Sequence, residues 1–351
     1  MNYNSSKLHN APEGFTFDDF VLDPVHSAIP SRKFPDVSVS LPGLSLTTAV
    51  MSAPMNTITE EEMVLAMFDQ GATSVLHRFM SLETQLSVCR RLQETRGRSA
   101  YWVAVGATKD YLERVQELKK IGVNKFCIDV ANGHSDICVS AVRTIASKVS
   151  GVEIFAGNVC TLDGATRLAE VGASVIRVGI GPGSMCTTRV VTGHGVPQLT
   201  AIEECSLVKG QHPQVAIVAD GGLRGSGDLV KAFAIGADAV MVGSLLKATK
   251  ETPGAIIEEG GKRFKYYSGM ASEEGRANWF DRTETGFVPE GVSTKVPYEG
   301  KTVSEVMAKL IGGLKVGMSY SNASTIKELR QNAKWRRVTS SGFVEGTPHG
   351  R

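Results

Sequence analysis

The chain has little of three features that would assign it to other classes of protein: long apolar runs, clustered charge and paired cysteines. No stretch of about 18 apolar residues occurs in it, which argues against a membrane-spanning helix. The opening residues, MNYNSSKLHNAPEGF, contain no apolar core of the kind that a secretory signal needs. We therefore expect a cytoplasmic protein with no membrane partner.

Charge of either sign is not in excess. The 351 residues include 38 Lys and Arg against 36 Asp and Glu, a formal net charge of +2. The densest basic group near the end, Lys334, Arg336 and Arg337, is interrupted by Trp335. Because a nucleic-acid-binding protein needs a clustered basic face, we expect no nucleic-acid partner.

The six cysteines form no CxxC pair and no spacing that is typical of zinc. In a reducing cytosol most of them should be free thiols. A free cysteine usually behaves as a small buried hydrophobic residue. We expect that behaviour from all but Cys186, namely from Cys89, Cys127, Cys138, Cys160 and Cys205.

What the sequence does have is a repeated alternation of short apolar runs with amphipathic segments. The runs predict strands at residues 48–54, 73–77, 101–106, 125–130, 153–158, 174–179, 214–220 and 238–243. Most are nearly continuous in apolar residues, as in parallel sheets that are covered on both faces. Strand–helix repetition indicates right-handed βαβ units. Eight units fit a closed (β/α)₈ barrel, the TIM barrel of the α/β class, although a doubly wound sheet has the same pattern.

The two flanks break this alternation. Residues 1–45 resemble an irregular N-terminal arm, and residues 250–300 form a long insertion after the eighth strand. An insertion of that length in a compact domain is often a functional lid or flap. Residues 301–351 contain two helical patterns, SEVMAKLIGGLKVGM and ASTIKELRQNA, before a polar tail. We expect a single barrel domain over residues 1–351.

Polar residues and glycines follow the predicted strands. In (β/α)₈ barrels the active site lies at this end of the strands. The residues concerned are Met55, Asn56, His77, Arg78, Asp129, Asn132, Gly133, Asn158, the segment 179–188, the run 220–222, Gly243 and Ser244.

The segment after the sixth strand, GIGPGSMCTTR, has a composition suited to nucleophilic chemistry. Its glycines and proline form a tight loop that a ligand can approach closely. Backbone NH groups and Arg189 near Cys186 would favour a thiolate nucleophile, and Thr187 and Thr188 are suited to proton relay. A glycine-rich turn with an incidental thiol has the same composition.

The loops after the seventh and eighth strands, ADGG and VGS, lie where barrels often hold phosphate. Glycine NH groups, Ser244 and Ser184 could donate hydrogen bonds to it. Asp220 is suited to accept hydrogen bonds from ribose hydroxyls. Two ordinary strand-to-helix turns, with Asp220 as a helix N-terminal acid, are the alternative.

Three further ionisable residues have roles that the pattern leaves open. His77 and His134 are candidate acid–base groups, but packing beside the barrel mouth and at a helix start is the more typical behaviour. Glu290, in FVPEGVSTKVPYEG, is suited to handle the proton of a leaving group, although an exposed glutamate is the commoner case.

These motifs resemble the IMP dehydrogenase / GMP reductase family, and the resemblance covers nearly the whole chain. It is carried by FTFDDFVL, SAPMNTITE, CIDVANGHS, AGNV, VGIGPGSMCTTR, PQLTAI, ADGG, VMVGSLL, YYSGMAS, EGVSTKVPYEG and IGGLKVGMSY. The resemblance implies a (β/α)₈ barrel, a homotetramer, and a purine nucleoside monophosphate, GMP or IMP, as the bound partner.

The resemblance also implies roles for particular residues. Cys186 would be the nucleophile that forms a covalent adduct at purine C2. Nucleotide contacts would come from Ser184, Asp220, Gly222, Gly243, Ser244, Tyr267, Gly269 and Met270. Positions near the nicotinamide would be Asp129, Asn158 and Arg177. A K⁺ ion would be held by the backbone carbonyls of Gly181, Gly183 and Cys186.

The two activities of the family differ after the adduct. The dehydrogenase oxidises IMP with NAD and hydrolyses the adduct to XMP, typically with an Arg-Tyr pair on a flap. Here Arg276 precedes Ala277 and Arg282 precedes Thr283, so the flap has no such pair. The reductase expels ammonia from GMP and reduces the adduct with NADPH, and Thr188 and Glu290 match the residues that serve the ammonia. The resemblance therefore favours a GMP reductase.

Other features favour the alternative, an NAD-dependent IMP dehydrogenase. VPEGVSTKVPYEG and RRVTSSGFVEGTPHG are more similar to dehydrogenases. Asn56 replaces an Asp that is common to both enzymes, so it favours neither. The CBS domains usual in dehydrogenases are absent, because the second helix runs directly to the third strand, but some dehydrogenases lack them too. A non-catalytic nucleotide-binding relative is a third hypothesis, which the intact Cys186, Thr188 and Glu290 oppose. The sequence does not distinguish NAD from NADP.

Overall fold

The computed structural model describes residue 8 and residues 10–96, 100–272 and 288–348. Its strands, in chain order, are β1 Phe20–Leu22, β2 Val39–Leu41, β3 Leu44–Leu46, β4 Val50–Ser52, β5 Thr73–Leu76, β6 Trp102–Val105, β7 Lys125–Asp129, β8 Glu153–Val159, β9 Val175–Val178, β10 Ala216–Asp220, β11 Ala239–Val242, β12 Ile257–Glu259, β13 Lys262–Ser268, β14 Ser293–Pro297 and β15 Trp335–Arg337. Its helices are α1 Glu61–Asp69, α2 Leu82–Arg96, α3 Tyr111–Lys120, α4 Asp136–Lys148, α5 Leu162–Glu170, α6 Thr188–Thr192, α7 Gln198–Ser206, α8 Ser226–Ile235, α9 Val303–Tyr320, α10 Ile326–Asn332 and α11 Ser340–Glu345. Short 3₁₀ turns span Phe17–Asp19 and Leu207–Gly210.

Strands β4 to β11 form a closed parallel barrel, in which β11 pairs with β4. Each predicted strand overlaps one of these eight strands, and each barrel strand is followed by at least one helix. The predicted (β/α)₈ barrel is therefore confirmed. Among the described residues, no helix is both long enough and apolar enough to cross a bilayer.

The register of the barrel directs three charged side chains toward its axis. Asp129 pairs with Gly157, which pairs with Arg177, and Arg177 pairs with Val218. Paired residues share a face, and residues two apart on a strand also share one. Asp129, Arg177 and Asp220 therefore point into the barrel, at the carboxyl ends of their strands.

The opposite end of the barrel is covered by a hairpin that the sequence did not predict. Strands β2 and β3 pair through a turn at Gly43, whose φ is 66°. A Cβ on Gly43 would lie 2.7 Å from Cγ of Glu153, at the start of β8. Residues 1–45 are thus not simply an irregular arm. Strands of three residues are too short to show the alternation on which strand prediction depends.

The C-terminal segment also contains more structure than a polar tail. Strand β15 pairs antiparallel with β1, and α11 follows it. The arm is fixed to α8 by Lys231, which donates to the carbonyl oxygens of Phe17 at 2.6 Å and Phe20 at 3.2 Å. The two ends of the chain therefore pack together on the outside of the barrel.

The insertion after β11 forms a three-stranded antiparallel sheet of β12, β13 and β14, which we call the flap sheet. In it Tyr267 pairs with Thr294 and Ser268 with Ser293. Residues 273–287 of the predicted flap, including Arg276 and Arg282, lie outside the described residues. The described part brings β13 and the start of β14 to the mouth of the barrel.

Candidate active site

A cavity of about 440 Å³ opens between the carboxyl ends of the barrel strands and the flap sheet. All the residues that the sequence selected as site candidates through the family resemblance line it. They are Ser184, Cys186, Thr188, Asp220, Gly222, Gly243, Ser244, Tyr267, Gly269, Met270, Glu290, Asp129, Asn158, Arg177, Gly181 and Gly183. The structure therefore brings together residues from five barrel strands and the loops that follow them, and from the insertion.

The loop that carries Cys186 leaves β9 at a position that only glycine suits. Gly179 has φ 146°, and a Cβ there would lie 2.1 Å from the carbonyl oxygen of Asp220. Asn158 Nδ2 donates to the Gly179 carbonyl at 2.7 Å. Near its far end the Cys186 NH donates to the carbonyl of Gly183 at 3.0 Å, which closes a tight turn. The thiol is thus held by backbone contacts at both ends of the loop.

The same loop is joined to the flap sheet by an antiparallel bridge. Cys186 pairs with Gly291, and the NH of Thr187 donates to the carbonyl of Glu290 at 2.9 Å. The Cys186 Sγ lies 3.1 Å from the Thr188 Oγ1, to which it donates. Cys186 is a free, half-buried thiol. A thiol, a hydroxyl and a carboxyl from two distant parts of the sequence therefore share one wall of the cavity.

Arg189, which the sequence suggested as an influence on the Cys186 thiol, makes its described hydrogen bond elsewhere. Its Nη2 donates to the carbonyl of Val196 at 2.5 Å, and its side chain packs against Gly181 and Gly195. Among the described residues no hydrogen bond joins it to Cys186. Arg189 instead fixes the base of the loop, because it bridges the segments before and after α6.

A buried ionic network forms the floor of the cavity. Arg177 donates from Nη1 to Asp129 Oδ1 at 2.5 Å and from Nε to Asp220 Oδ2 at 2.9 Å. Asn158 Nδ2 donates to the same oxygen of Asp220 at 2.9 Å, and Arg78 Nε donates to Asp129 Oδ2 at 3.3 Å. One guanidinium thus bridges two carboxylates from β7 and β10.

This network favours the charged forms of Asp129 and Arg177. Burial on its own would raise the pKa of Asp129, but the guanidinium groups of Arg177 and Arg78 outweigh it and hold that pKa below its ordinary value. Burial would lower the pKa of Arg177, and the carboxylates of Asp220 and Asp129 raise it instead. The floor therefore presents fixed charges to any ligand.

Tyr267 and two glycines shape the opposite wall. Burial raises the pKa of Tyr267, whose hydroxyl lies 3.4 Å from the Ser184 hydroxyl. A Cβ on Gly243 would lie 3.4 Å from Tyr267 Oη, and one on Gly269 would lie 3.0 Å from the carbonyl oxygen of Met185. The Met270 sulfur accepts a hydrogen bond of 3.4 Å from the Asn56 NH. Small residues here leave the room that a flat ring needs.

Two residues, Arg78 and Gln198, contribute more to the structure of the site than the sequence suggested. Arg78 lies at the cavity with its guanidinium carbon 4.7 Å from the ring centroid of Phe79. Gln198, buried at the start of α7, donates from Nε2 to the carbonyls of Val178 at 2.9 Å and Asp220 at 3.1 Å. It ties together the ends of β9 and β10, from which two site loops start. Its only sequence signal was membership of the PQLTAI block.

The two candidate histidines do not line the cavity. His77 is buried, with Nδ1 3.1 Å from the NH of Phe79 and Nε2 3.3 Å from Glu60. His134 precedes α4, with Nε2 3.6 Å from Asp163. His77 therefore packs beside the barrel mouth and His134 lies at a helix start, as their simpler interpretation predicts.

The fold and the site can now be compared with known proteins. The family model described as IMP dehydrogenase / GMP reductase domain matches residues 14–349. The chain belongs to the IMP dehydrogenase / GMP reductase family. It is an oxidoreductase of that family, whose members bind a purine nucleoside monophosphate and a nicotinamide cofactor.

The family's two activities both occur among its relatives. An inosine-5′-monophosphate dehydrogenase of Nitrosopumilus maritimus is 38% identical over 324 residues, which cover 90% of this chain and 67% of the relative. One of Borreliella burgdorferi is 34% identical over 394 residues, which cover 96% of this chain and 97% of the relative. A crystal structure of a Trypanosoma brucei GMP reductase in complex with guanosine 5′-monophosphate superposes with a TM-score of 0.92 at 27% identity, covering 99% of this chain and 100% of that chain.

Proposed function

We propose that the chain is a GMP reductase, which converts GMP to IMP and ammonia with NADPH through a covalent Cys186 adduct at purine C2. The observation that carries this proposal is the bridge between Cys186 and Gly291. It holds Glu290 beside the Cys186–Thr188 pair, where a departing amine would need a proton.

In the first half of the proposed reaction, the Cys186 sulfur forms a bond to C2 of the guanine ring. The C2 amino group then leaves as ammonia and takes a proton from Glu290 by way of the Thr188 hydroxyl. The ring stays joined to Cys186 through a C2–S bond and a C=N double bond. A general acid that is carried by the flap sheet suits this step, because the leaving amine needs a proton and no added water.

The second half would need a hydride at C2, which is the chemistry that NADPH would supply when bound. Cys186 would then leave as a thiolate as the C2–S bond breaks and IMP is released. A nicotinamide ring would be suited by the apolar residues Phe79, Val130 and Ala131, which line the cavity together with Asp129. Arg177 and Arg78 donate to that carboxylate and fix its orientation, while Asn158 donates to Asp220.

The remaining residues would hold the nucleotide. Asp220 would accept hydrogen bonds from the ribose hydroxyls through Oδ1, the oxygen to which none of the described side chains donates. The phosphate would be bound at the turns after β9, β10 and β11, through the NH groups of Gly222 and Gly243 and the hydroxyls of Ser184 and Ser244. Tyr267, Gly269 and Met270 would cover the purine from the flap sheet.

The proposal also includes a K⁺ ion at the carbonyls of Gly181, Gly183 and Cys186, which takes no direct part in the reaction. The Gly183 carbonyl already accepts the Cys186 NH at 3.0 Å, so an ion would use its second lone pair. Among the described residues, no group of three or more His, Cys, Asp or Glu side chains is arranged to hold a metal ion.

The second candidate function is IMP dehydrogenase, with NAD as the cofactor. The observation that favours it is the Borreliella burgdorferi dehydrogenase, because the alignment covers nearly all of both chains. Arg276 or Arg282 would then have to activate water for hydrolysis of the adduct.

A product assay separates the two functions. Purified protein is mixed in turn with GMP and NADPH, GMP and NADH, IMP and NAD, and IMP and NADP, while ammonia, IMP and XMP are quantified. We expect ammonia and IMP from GMP with NADPH, at equal amounts of each. Formation of XMP from IMP without any reduction of GMP would reverse the assignment in favour of the dehydrogenase.

A further inference from the structure

The hydrogen bonds of Arg177 are not explained by the role near the nicotinamide that the family resemblance implies. Its side chain is only 9% exposed, and its donors are engaged with two carboxylates from different strands. Asp129 on one side and Asp220 on the other are both bonded to the same guanidinium. Arg177 therefore serves as a shared counter-ion and has little surface left for a ligand.

The two carboxylates differ in what they leave open. Both described donors to the Asp220 carboxylate, Arg177 and Asn158, donate to Oδ2, and Oδ1 has no donor among the described residues. The oxygens of Asp129 are both engaged, Oδ1 by Arg177 and Oδ2 by Arg78. Asp220 can thus accept a bond from a ligand without giving up a bond within the network.

We propose that Arg177 is a positioning residue that couples the cofactor side of the cavity to its ribose side, by sharing one guanidinium between Asp129 and Asp220. The proposal rests on the proposed function in one respect, that Asp220 faces the ribose. An arginine is suited to this because its planar group donates in two directions at once, which a lysine ammonium does less rigidly. Groups in one buried network are energetically coupled.

The sign of the coupling follows from the charges. If Asp129 loses its charge, the guanidinium interacts mainly with Asp220 and neutralises it more completely. The free Oδ1 of Asp220 is then a weaker acceptor for ribose hydroxyls, and the nucleotide binds less tightly. A direct field effect of Asp129 on the nucleotide has the opposite sign, because removing a negative charge favours an anionic ligand.

The test is a double-mutant cycle on nucleotide binding. Dissociation constants of GMP and of IMP are measured by calorimetry, without cofactor, for the unmodified protein, Asp129→Asn, Arg177→Lys and the double variant. We expect Asp129→Asn to weaken binding by about fivefold or more when Arg177 is present. In the Arg177→Lys background the same change should have less than about a twofold effect.

Two controls accompany the cycle. Cys127 lies buried two residues before Asp129 on β7, so Cys127→Ser alters the same region without removing a charge and should leave nucleotide binding unchanged. With 2′,3′-dideoxy-GMP, which lacks the hydroxyls, Asp129→Asn should not weaken binding. This second control decides the matter by itself if Arg177→Lys fails to fold.

The outcomes distinguish this inference from the proposed function. An equal effect of Asp129→Asn in both backgrounds, tighter binding, or an equal loss with the dideoxy ligand would overturn the coupling. If Arg177 were purely structural, its substitution would weaken binding independently of Asp129. Asp129→Asn would then have the same effect in both backgrounds. Binding of neither GMP nor IMP would overturn both proposals, whereas coupled binding without GMP reduction would overturn the proposed function alone.

Discussion

Glu290 is the residue on which ammonia departure would depend, since it is the carboxyl carried to the Cys186–Thr188 pair by the flap sheet. Glu290→Gln keeps the shape and removes the proton. We predict that GMP turnover falls by about 10²- to 10⁴-fold, the usual scale of general acid catalysis, while the dissociation constant of GMP changes little. Single-turnover ammonia release measures the step directly.

Glu299 offers a matched control for this change, because it lies just beyond the flap sheet and pairs with the exposed Lys301. Glu299→Gln should leave turnover intact. A normal rate of ammonia release in Glu290→Gln, with a slow hydride step instead, would contradict the assigned role.

Asp129 should make the stability of the fold depend on pH. Its pKa is depressed in the folded chain, so its contribution is fully present above the ordinary Asp pKa of about 3.9 and is lost as the pH falls through the lower folded value. At neutral pH we predict that Asp129→Asn lowers the free energy of unfolding by roughly 3 kcal/mol, as when one partner of a buried pair is removed.

Urea unfolding at pH 7 and at pH 3 tests this dependence. The difference between the unmodified protein and Asp129→Asn should shrink at the lower pH, because the Asp129 carboxyl of the unfolded chain takes up a proton before that of the folded chain. A difference that stays constant over that range would show that Asp129 is not the titrating group.

The sequence predicted which residues form the site better than it predicted the contacts between them. Asp129, Asp220 and Cys186 follow apolar strands, and the carboxyl ends of barrel strands converge. Their partners were not predictable in the same way. That Arg177 joins Asp129 to Asp220, or that Arg189 bonds Val196 and not Cys186, depends on register and on loop geometry, which local sequence does not encode.

A buried glutamine helps to tie helix α2 to the barrel. Gln85 Nε2 donates to the carbonyl of His77 at 3.2 Å and to that of Ala104 at 3.1 Å, and its Oε1 accepts from Arg114 at 3.1 Å. We predict that Gln85→Leu lowers the free energy of unfolding by about 2–3 kcal/mol, because it leaves buried carbonyls without donors. Denaturant unfolding measures the loss.

Gln116 on α3 is exposed, so the same substitution there makes the same change of side chain at the protein surface. Gln116→Leu should change the unfolding free energy by less than about 0.5 kcal/mol. Equal effects of the two substitutions would mean that the Gln85 hydrogen bonds contribute nothing measurable.

Longer and more deeply buried strands were easier to predict from the sequence than short strands. The runs at 125–130 and 214–220 correspond to β7 and β10. They were predictable because a continuous apolar run bounded by turns is typical of a buried strand. The pairs β2–β3 and β1–β15 were not predicted, since three residues give no period and their partners lie far apart in sequence.

For the molecule as a whole, assembly is the main prediction that a single chain does not test. The family resemblance implies a homotetramer. Light scattering should then give a mass of about four times the 37.5 kDa of one chain. A single species with the mass of one chain at assay concentration would contradict this prediction, whatever the activity.

The account depends most on a bond between Cys186 and purine C2, and mass spectrometry of the trapped protein tests it most directly. The protein is incubated with GMP in the absence of NADPH, quenched in acid and digested. We predict a peptide containing Cys186 that carries the nucleotide less ammonia, and its absence from Cys186→Ala, which should still bind GMP. An unmodified Cys186, or an adduct on another thiol such as the half-buried Cys160, would contradict the mechanism.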